Sequence, residues 1–140
     1  MNFMDVIDTN ILVYAFDTSY PLKRDVCKEL VNSVFEGKRS AAVTNQILAE
    51  FAFIITKKIE RPLSRSDAAA IIGAILSSAN WKVFDYTAFS LQRCLASPSH
   101  EFWDALIVQT LKEHNIQRIV TENTKDFAGI TAVHPFLSQN

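Results

Sequence analysis

The stretch Phe3-Met4-Asp5-Val6-Ile7-Asp8-Thr9-Asn10 decides the fold. A short apolar run, broken only by Asp5, stops abruptly at polar residues, which is the pattern of a buried strand running out at Asp8. Working outward, short strand-like runs recur at residues 40–43, 81–84 and 118–121, with a weaker one at 132–134. Between them lie segments of helical period. Residues 21–35 carry Leu22, Val26, Leu30 and Val34, with Gly37 as a stop. Residues 46–59 precede Pro62, and a third helix, capped by Ser64 or Ser66, runs to about Ser78. Two more follow at 87–95 and 101–115, the latter opened by Ser97-Pro98-Ser99. Strands alternating with helices predict the α/β class, a single three-layer domain over residues 1–140 with a mostly parallel central sheet flanked by helices.

Composition agrees with one globular unit. The chain has 140 residues, 49% of them hydrophobic and 21% charged. At that size roughly 68–70% of the unfolded surface is buried on folding, so neither disulfides nor a structural metal is needed. Three Gly and four Pro are scattered singly, with no linker or repeat. Cys27 and Cys94 stand alone and read as reduced thiols packed on helices. No basic leader precedes the first strand, and no run approaches the roughly 18 apolar residues of a membrane span, so the expected location is cytoplasmic. A net charge of −1 excludes a protein that grips nucleic acid through overall positive charge. Local basic faces stay possible, because Lys57, Lys58, Arg61 and Arg65 belong to a Lys/Arg-rich first half. Each of these also fits the solvated rim of an amphipathic helix.

Four carboxylates stand out from this background. Asp8 lies at the carboxyl end of the first strand, the edge where open parallel sheets bind ligands. Asp5, at the other end of that strand, reads as a solvated terminal residue. Thr9 and Asn10 supply short polar side chains able to hydrogen-bond a carboxylate or cap the next turn. Glu50 falls within the stripe Ile47, Glu50, Phe51, Ile54 on one helical face. Asp104 falls among Trp103, Ile107, Val108 and Leu111 on another, well past a first turn counted from Ser97 or Ser99, whereas Glu101 suits the first-turn dipole role. Asp126 occupies the loop after the strand ending at Thr121. Taken singly, each acid has an ordinary explanation: a boundary position, an ion pair, a turn. Taken together, they are acids converging on one sheet edge, and like charges so placed do not all stay ionised without a cation among them. All-oxygen ligation favours Mg²⁺ or Mn²⁺ over zinc, since His100, His114 and His134 are isolated and read as surface or boundary residues. A metal-associated water can then attack a phosphodiester.

These residues carry a resemblance. Asp8-Thr9-Asn10-Ile11-Leu12, Gln46-Ile47-Leu48-Ala49-Glu50-Phe51, Phe102-Trp103-Asp104-Ala105-Leu106-Ile107 and Thr121-Glu122-Asn123-Thr124-Lys125-Asp126-Phe127 are similar to the successive motifs of the PIN-domain nucleases, most of all the VapC-type toxins of toxin–antitoxin pairs. The resemblance implies a PIN-like fold and an Mg²⁺- or Mn²⁺-dependent endoribonuclease acting on RNA. It further implies a homodimer held inactive by a cognate antitoxin whose tail fills the acidic groove. Asp8, Glu50 and Asp104 match the family's core acids, Asp126 its more variable fourth, and Thr121 a supporting hydroxyl. Asn123 stands where many members carry Asp, which bears on a second metal position. Two other readings compete: a PIN-like module that binds without cleaving, and a receiver-type phosphoacceptor domain. In the latter, Glu50 and Asp104 would have no role.

Overall fold

The computed structural model describes residues 4–97, 101–127 and 129–136. Five strands, β1 (Asp5–Ile7), β2 (Ala41–Thr44), β3 (Trp81–Phe84), β4 (Arg118–Val120) and β5 (Thr131–Val133), form one sheet in the order β3-β2-β1-β4-β5. Every pairing is parallel, with Val6 aligned on Ala42 and Ile119, and Val120 on Val133. Chain order runs outward from β1 to one edge through β2 and β3, then returns to β1's other side as β4. The direction of winding thus reverses between β1 and β4, and such a switch point leaves a crevice beyond the carboxyl ends of the strands. This order also disagrees with a receiver-type domain, in whose sheet the first strand lies between the second and the third.

Among the described residues six helices cover the sheet: α1 (Thr9–Tyr14), α2 (Pro21–Phe35), α3 (Asn45–Lys57), α4 (Arg65–Ser77), α5 (Ala88–Cys94) and α6 (Phe102–Glu113). Val6, Ile7, Ala41, Ala42, Val43 and Ile119 are fully buried, as strands covered on both faces require. Helix ends follow local chemistry. Thr44 caps α3 through Ile47 N–H, Ser64 caps α4 through Asp67 N–H, and Thr87 exchanges a capping box with Ser90. Gly37, at φ +78°, takes the left-handed conformation just beyond α2, as its reading as a stop predicts.

Several expectations are corrected. The segment after Asp8, which the sequence pattern assigns to no element, is a six-residue helix. In α2 the buried stripe is Cys27, Val31 and Val34, so Val26 and, at 82% exposure, Leu22 face outward. Asp5 is not solvated: it is 5% exposed and pairs with Arg39 at 2.6 Å and Arg118 at 3.0 Å, the arginines reaching it from the loop before β2 and from β4. Helix α6 starts at Phe102 with Glu101 as its N-cap, accepting from Trp103 N–H, so Asp104 lies in the first turn after all. Trp103 faces outward rather than into the core. Phe3 of the first predicted strand, the Pro98-Ser99 part of the predicted helix opening, and His100 lie outside the described residues. His114 is exposed and His134 half-buried, and Cys27 and Cys94 are buried free thiols. No helix among the described residues is long and apolar enough to cross a membrane.

Candidate active site

Asp8 is the N-cap of α1, and its backbone N–H continues the β1–β4 ladder by donating to Val120 C=O at 3.0 Å. The carboxylate is therefore fixed at the switch point by its own main chain. Its Oδ1 accepts from Thr9 N–H at 2.8 Å, and its Oδ2 accepts from the Thr121 hydroxyl at 2.7 Å. Thr121 Oγ1 in turn accepts from Asn123 N–H at 3.0 Å, so the β4 loop is locked to the same carboxylate. Glu50 projects from the second turn of α3. Thr9 Oγ1 donates to its Oε1 at 2.8 Å, and Gln46 Nε2 approaches its Oε2 at 3.3 Å. The same Gln46 amide donates to the Trp103 carbonyl at 2.9 Å and so joins α3 to the first turn of α6, where Asp104 sits. Gln46 escapes a search for acids, yet its buried amide links Glu50 to the turn that bears Asp104. Its place four residues before Glu50, on the same helical face, is the signal that marks it.

Asp8, Thr9, Asn10, Tyr14, Glu50, Asp104, Ile107 and Asn123 line one open cavity of about 380 Å³. Asp126 is exposed in a single-turn 3-10 helix (Thr124–Asp126) beside it, near enough to act electrostatically on both Asp8 and Asp104. Asn10 accepts from Glu122 N–H at 3.4 Å, which ties α1 to the loop that carries Asn123 and Asp126. Among the described residues, none of the four acids has an ion-pair partner. The nearby cation Lys23 is held by Glu122 at 2.5 Å. Lys57, Lys58, Arg61 and Arg65 lie apart from the cavity, exposed where α3 gives way to α4, with Lys57 two turns beyond Glu50 on the same face.

This environment disfavours negative charge. Burial pushes the Asp8 carboxyl up to about 6, against the lowering pull of Thr121 and Thr9, and the charges of Glu50 and Asp126 push the same way. Asp104 is likewise raised to about 6, first by burial, then by Glu101, Asp126, Asp8 and Glu50. Its first-turn position at the positive end of the α6 dipole does not outweigh those neighbours. A site that strips water from acids and groups them without cations has the electrostatics that a divalent ion would relieve.

The donor set suits such an ion. Among the described residues, no three acidic, His or Cys groups form a ready cage. Mg²⁺ does not require one, because it retains several waters and uses one or two carboxylates. Each bonded Asp8 oxygen keeps a second lone-pair direction. Gln46 Oε1 is a buried acceptor with no hydrogen-bond partner among the described residues.

Fold and site together define a class. The PIN domain family model matches residues 5–125, and the chain belongs to that family. Over 68 residues, 49% of this chain, it is 37% identical to Ribonuclease VapC7 of Mycobacterium tuberculosis, and the match spans 43% of that relative's length. Two solved structures share the fold. A toxin–antitoxin complex from Klebsiella pneumoniae superposes with a TM-score of 0.66 at 23% identity, covering 94% of this chain and 97% of that one. VapC20 of Mycobacterium tuberculosis, described as a sarcin–ricin loop cleaving toxin, gives 0.61 at 17% identity, covering 81% and 85%.

Proposed function

We propose that this chain is a metal-dependent endoribonuclease, the toxin of a type II toxin–antitoxin pair, using Mg²⁺ or Mn²⁺. The observation that carries the reading is Asp8: a buried carboxylate, pinned by Thr9 and Thr121, facing three other acids with no protein cation among them. In support, VapC7, similar in sequence, is named a ribonuclease, and VapC20, similar in fold, a sarcin–ricin loop cleaving toxin. A bound divalent ion supplies positive charge at the phosphodiester and acidifies a water.

The chain's own residues do the rest. Asp8 and Asp104, on a strand end and a helix, are the proposed direct ligands, since both are positioned by rigid backbone. Glu50 is held at Oε1 by Thr9 and is proposed to orient the attacking water and take its proton. Asp126 is exposed at the rim and suits a second ion or an ion-bound water. Asn123 offers only a carbonyl oxygen there. Thr121 and Asn10 hold the loop, and the N-termini of α1, α3 and α6 converge on the edge, a favourable setting for phosphate. Lys57, Lys58, Arg61 and Arg65 are proposed contacts to the RNA backbone.

A cognate antitoxin is the proposed partner, as in the Klebsiella complex, and the apolar surface at Phe53 and Leu76 supports a homodimer. RNA as substrate accords with a cytoplasmic site of action. The test is incubation of purified protein with end-labelled RNA in Mn²⁺, in EDTA, and as Asp104→Ala. Cleavage confined to the wild type with Mn²⁺ is expected. Cleavage that survives EDTA would overturn the metal mechanism, and none in any arm would leave a silent binding module.

A further inference from the structure

Trp103 is 54% exposed, although it directly precedes Asp104 in the first turn of α6. Its position is defined from two sides. Its carbonyl accepts from Gln46, whose amide also approaches Glu50, and its ring meets Phe102 edge-on at 4.9 Å between centroids. On the helix, Trp103 shares a face with Ile107, four residues on, and Ile107 lines the acidic cavity together with Asp104. Phe102 lies instead above Leu106, which is fully buried in the small cluster with Cys94 of α5. The indole thus projects from the same helix turn that brings Asp104 to the cavity, beside the lining residues and not among them. Leaving so large an apolar surface open to water beside a charged site is unfavourable, and it calls for an occupant that is itself flat and half-polar.

We infer that Trp103 is a stacking platform for one unpaired RNA base next to the bond that is cut. The inference rests on the ribonuclease reading and extends it. Sequence-selective RNA recognition works on single-stranded bases splayed onto aromatic rings, and an aromatic face one residue from a proposed metal ligand receives the base whose phosphate reaches the acids. Asp104 and Ile107 of the same helix line the cavity, so a nucleotide seated at the acids lies one residue along α6 from this ring. Phe102, 39% exposed, adjoins the ring, so a protein partner on this surface is the outcome that the test separates from base stacking.

The test uses the two tryptophans. Trp81 is 3% exposed against Phe35, so Trp81→Phe leaves Trp103 as the only emitter. Titrating this variant in EDTA with a short single-stranded RNA is expected to quench emission saturably, and the same backbone made wholly abasic is expected not to. In Mn²⁺ and with Trp81 intact, Trp103→Ala should raise KM roughly tenfold with the loss falling on KM rather than kcat, and Trp103→Phe should recover most of it. Unquenched emission together with an unchanged KM overturns the platform. So does a Trp103→Ala protein whose only change is in oligomeric state or antitoxin binding. Quenching without cleavage by the wild type would sustain the platform and defeat the nuclease reading, and metal-dependent cleavage indifferent to Trp103 would do the reverse.

Discussion

Asp5 and Asp8 flank one short strand, and both are almost wholly buried, at 5% and 6% exposure. At the amino edge Asp5 is met by two arginines, Arg39 and Arg118. At the carboxyl edge Asp8 meets a hydroxyl, a backbone N–H and the fields of other acids. The same side chain is paired with cations at one end of the strand and left without one at the other. Burial alone therefore does not single out the carboxylate proposed to act; burial without a protein cation does.

The largest contrast should be in turnover. Asp8→Asn keeps an equally good helix cap but removes the charge, and initial rates of labelled-RNA cleavage should fall on the order of 1,000-fold. Asp5→Asn should cut at close to the wild-type rate under conditions where it is folded. Equal losses from both would erase the distinction.

Stability should move the opposite way with pH. The Asp8 carboxyl has a folded value of about 6 against 3.8 unfolded, so between those values the folded state binds more protons. Metal-free wild type thus loses stability as pH rises through that window and stays at the lower level above it. Asp8→Asn should be more stable than metal-free wild type by about 3 kcal/mol at pH 7.5 and about equal to it at pH 4, read from urea midpoints. The Asp104 carboxyl, raised in the same direction but half-exposed, adds a smaller slope that Asp8→Asn reduces further, because the Asp8 charge is one of its causes. A gap that does not change with pH would contradict the shift. Arg39→Ala, which takes one of two cations from Asp5, should by contrast destabilise by about 2 kcal/mol at neutral pH.

Smaller effects sharpen the comparison. Thr121→Val, which removes the hydroxyl on Asp8 Oδ2, should weaken Mn²⁺ binding roughly tenfold, as loss of an outer-shell partner does. Neutralising Lys57 should reduce the slope of log affinity for RNA against log salt by about 1 while leaving metal binding intact. An unchanged slope removes Lys57 from the RNA path.

Much of this was legible in sequence for definite reasons. Strand-ending runs place Asp8 and Thr121, and a charge interrupting an apolar helical stripe exposes Glu50 without any tertiary knowledge. Asp5 was misread because its partners lie 34 and 113 positions away, and local pattern carries no sign of such pairings. Asp104 is legible on its stripe and its helix begins within one residue of the expected 101, but the N-cap differs, because Ser97-Pro98-Ser99 is a stronger capping signature than Glu101. The α1 helix was missed because Thr9–Tyr14 is too short for a period to show, and its apolar residues suit a strand as well. In α2, Cys27 anchors the buried face, and a stripe built from Leu and Val alone lands one position off. Gln46 and Trp103 lay inside quoted motifs, yet what each does depends on contacts between α3 and α6 that only the fold brings about.

Calorimetric titration with Mn²⁺ at pH 7.5 tests the central claim most directly. Wild type should bind the ion, with Asp8→Asn weakened on the order of 100-fold and Asp5→Asn unchanged. Equal Mn²⁺ affinity in wild type and Asp8→Asn would show that the uncompensated carboxylate at the switch point is not where a cation sits, and would contradict the account.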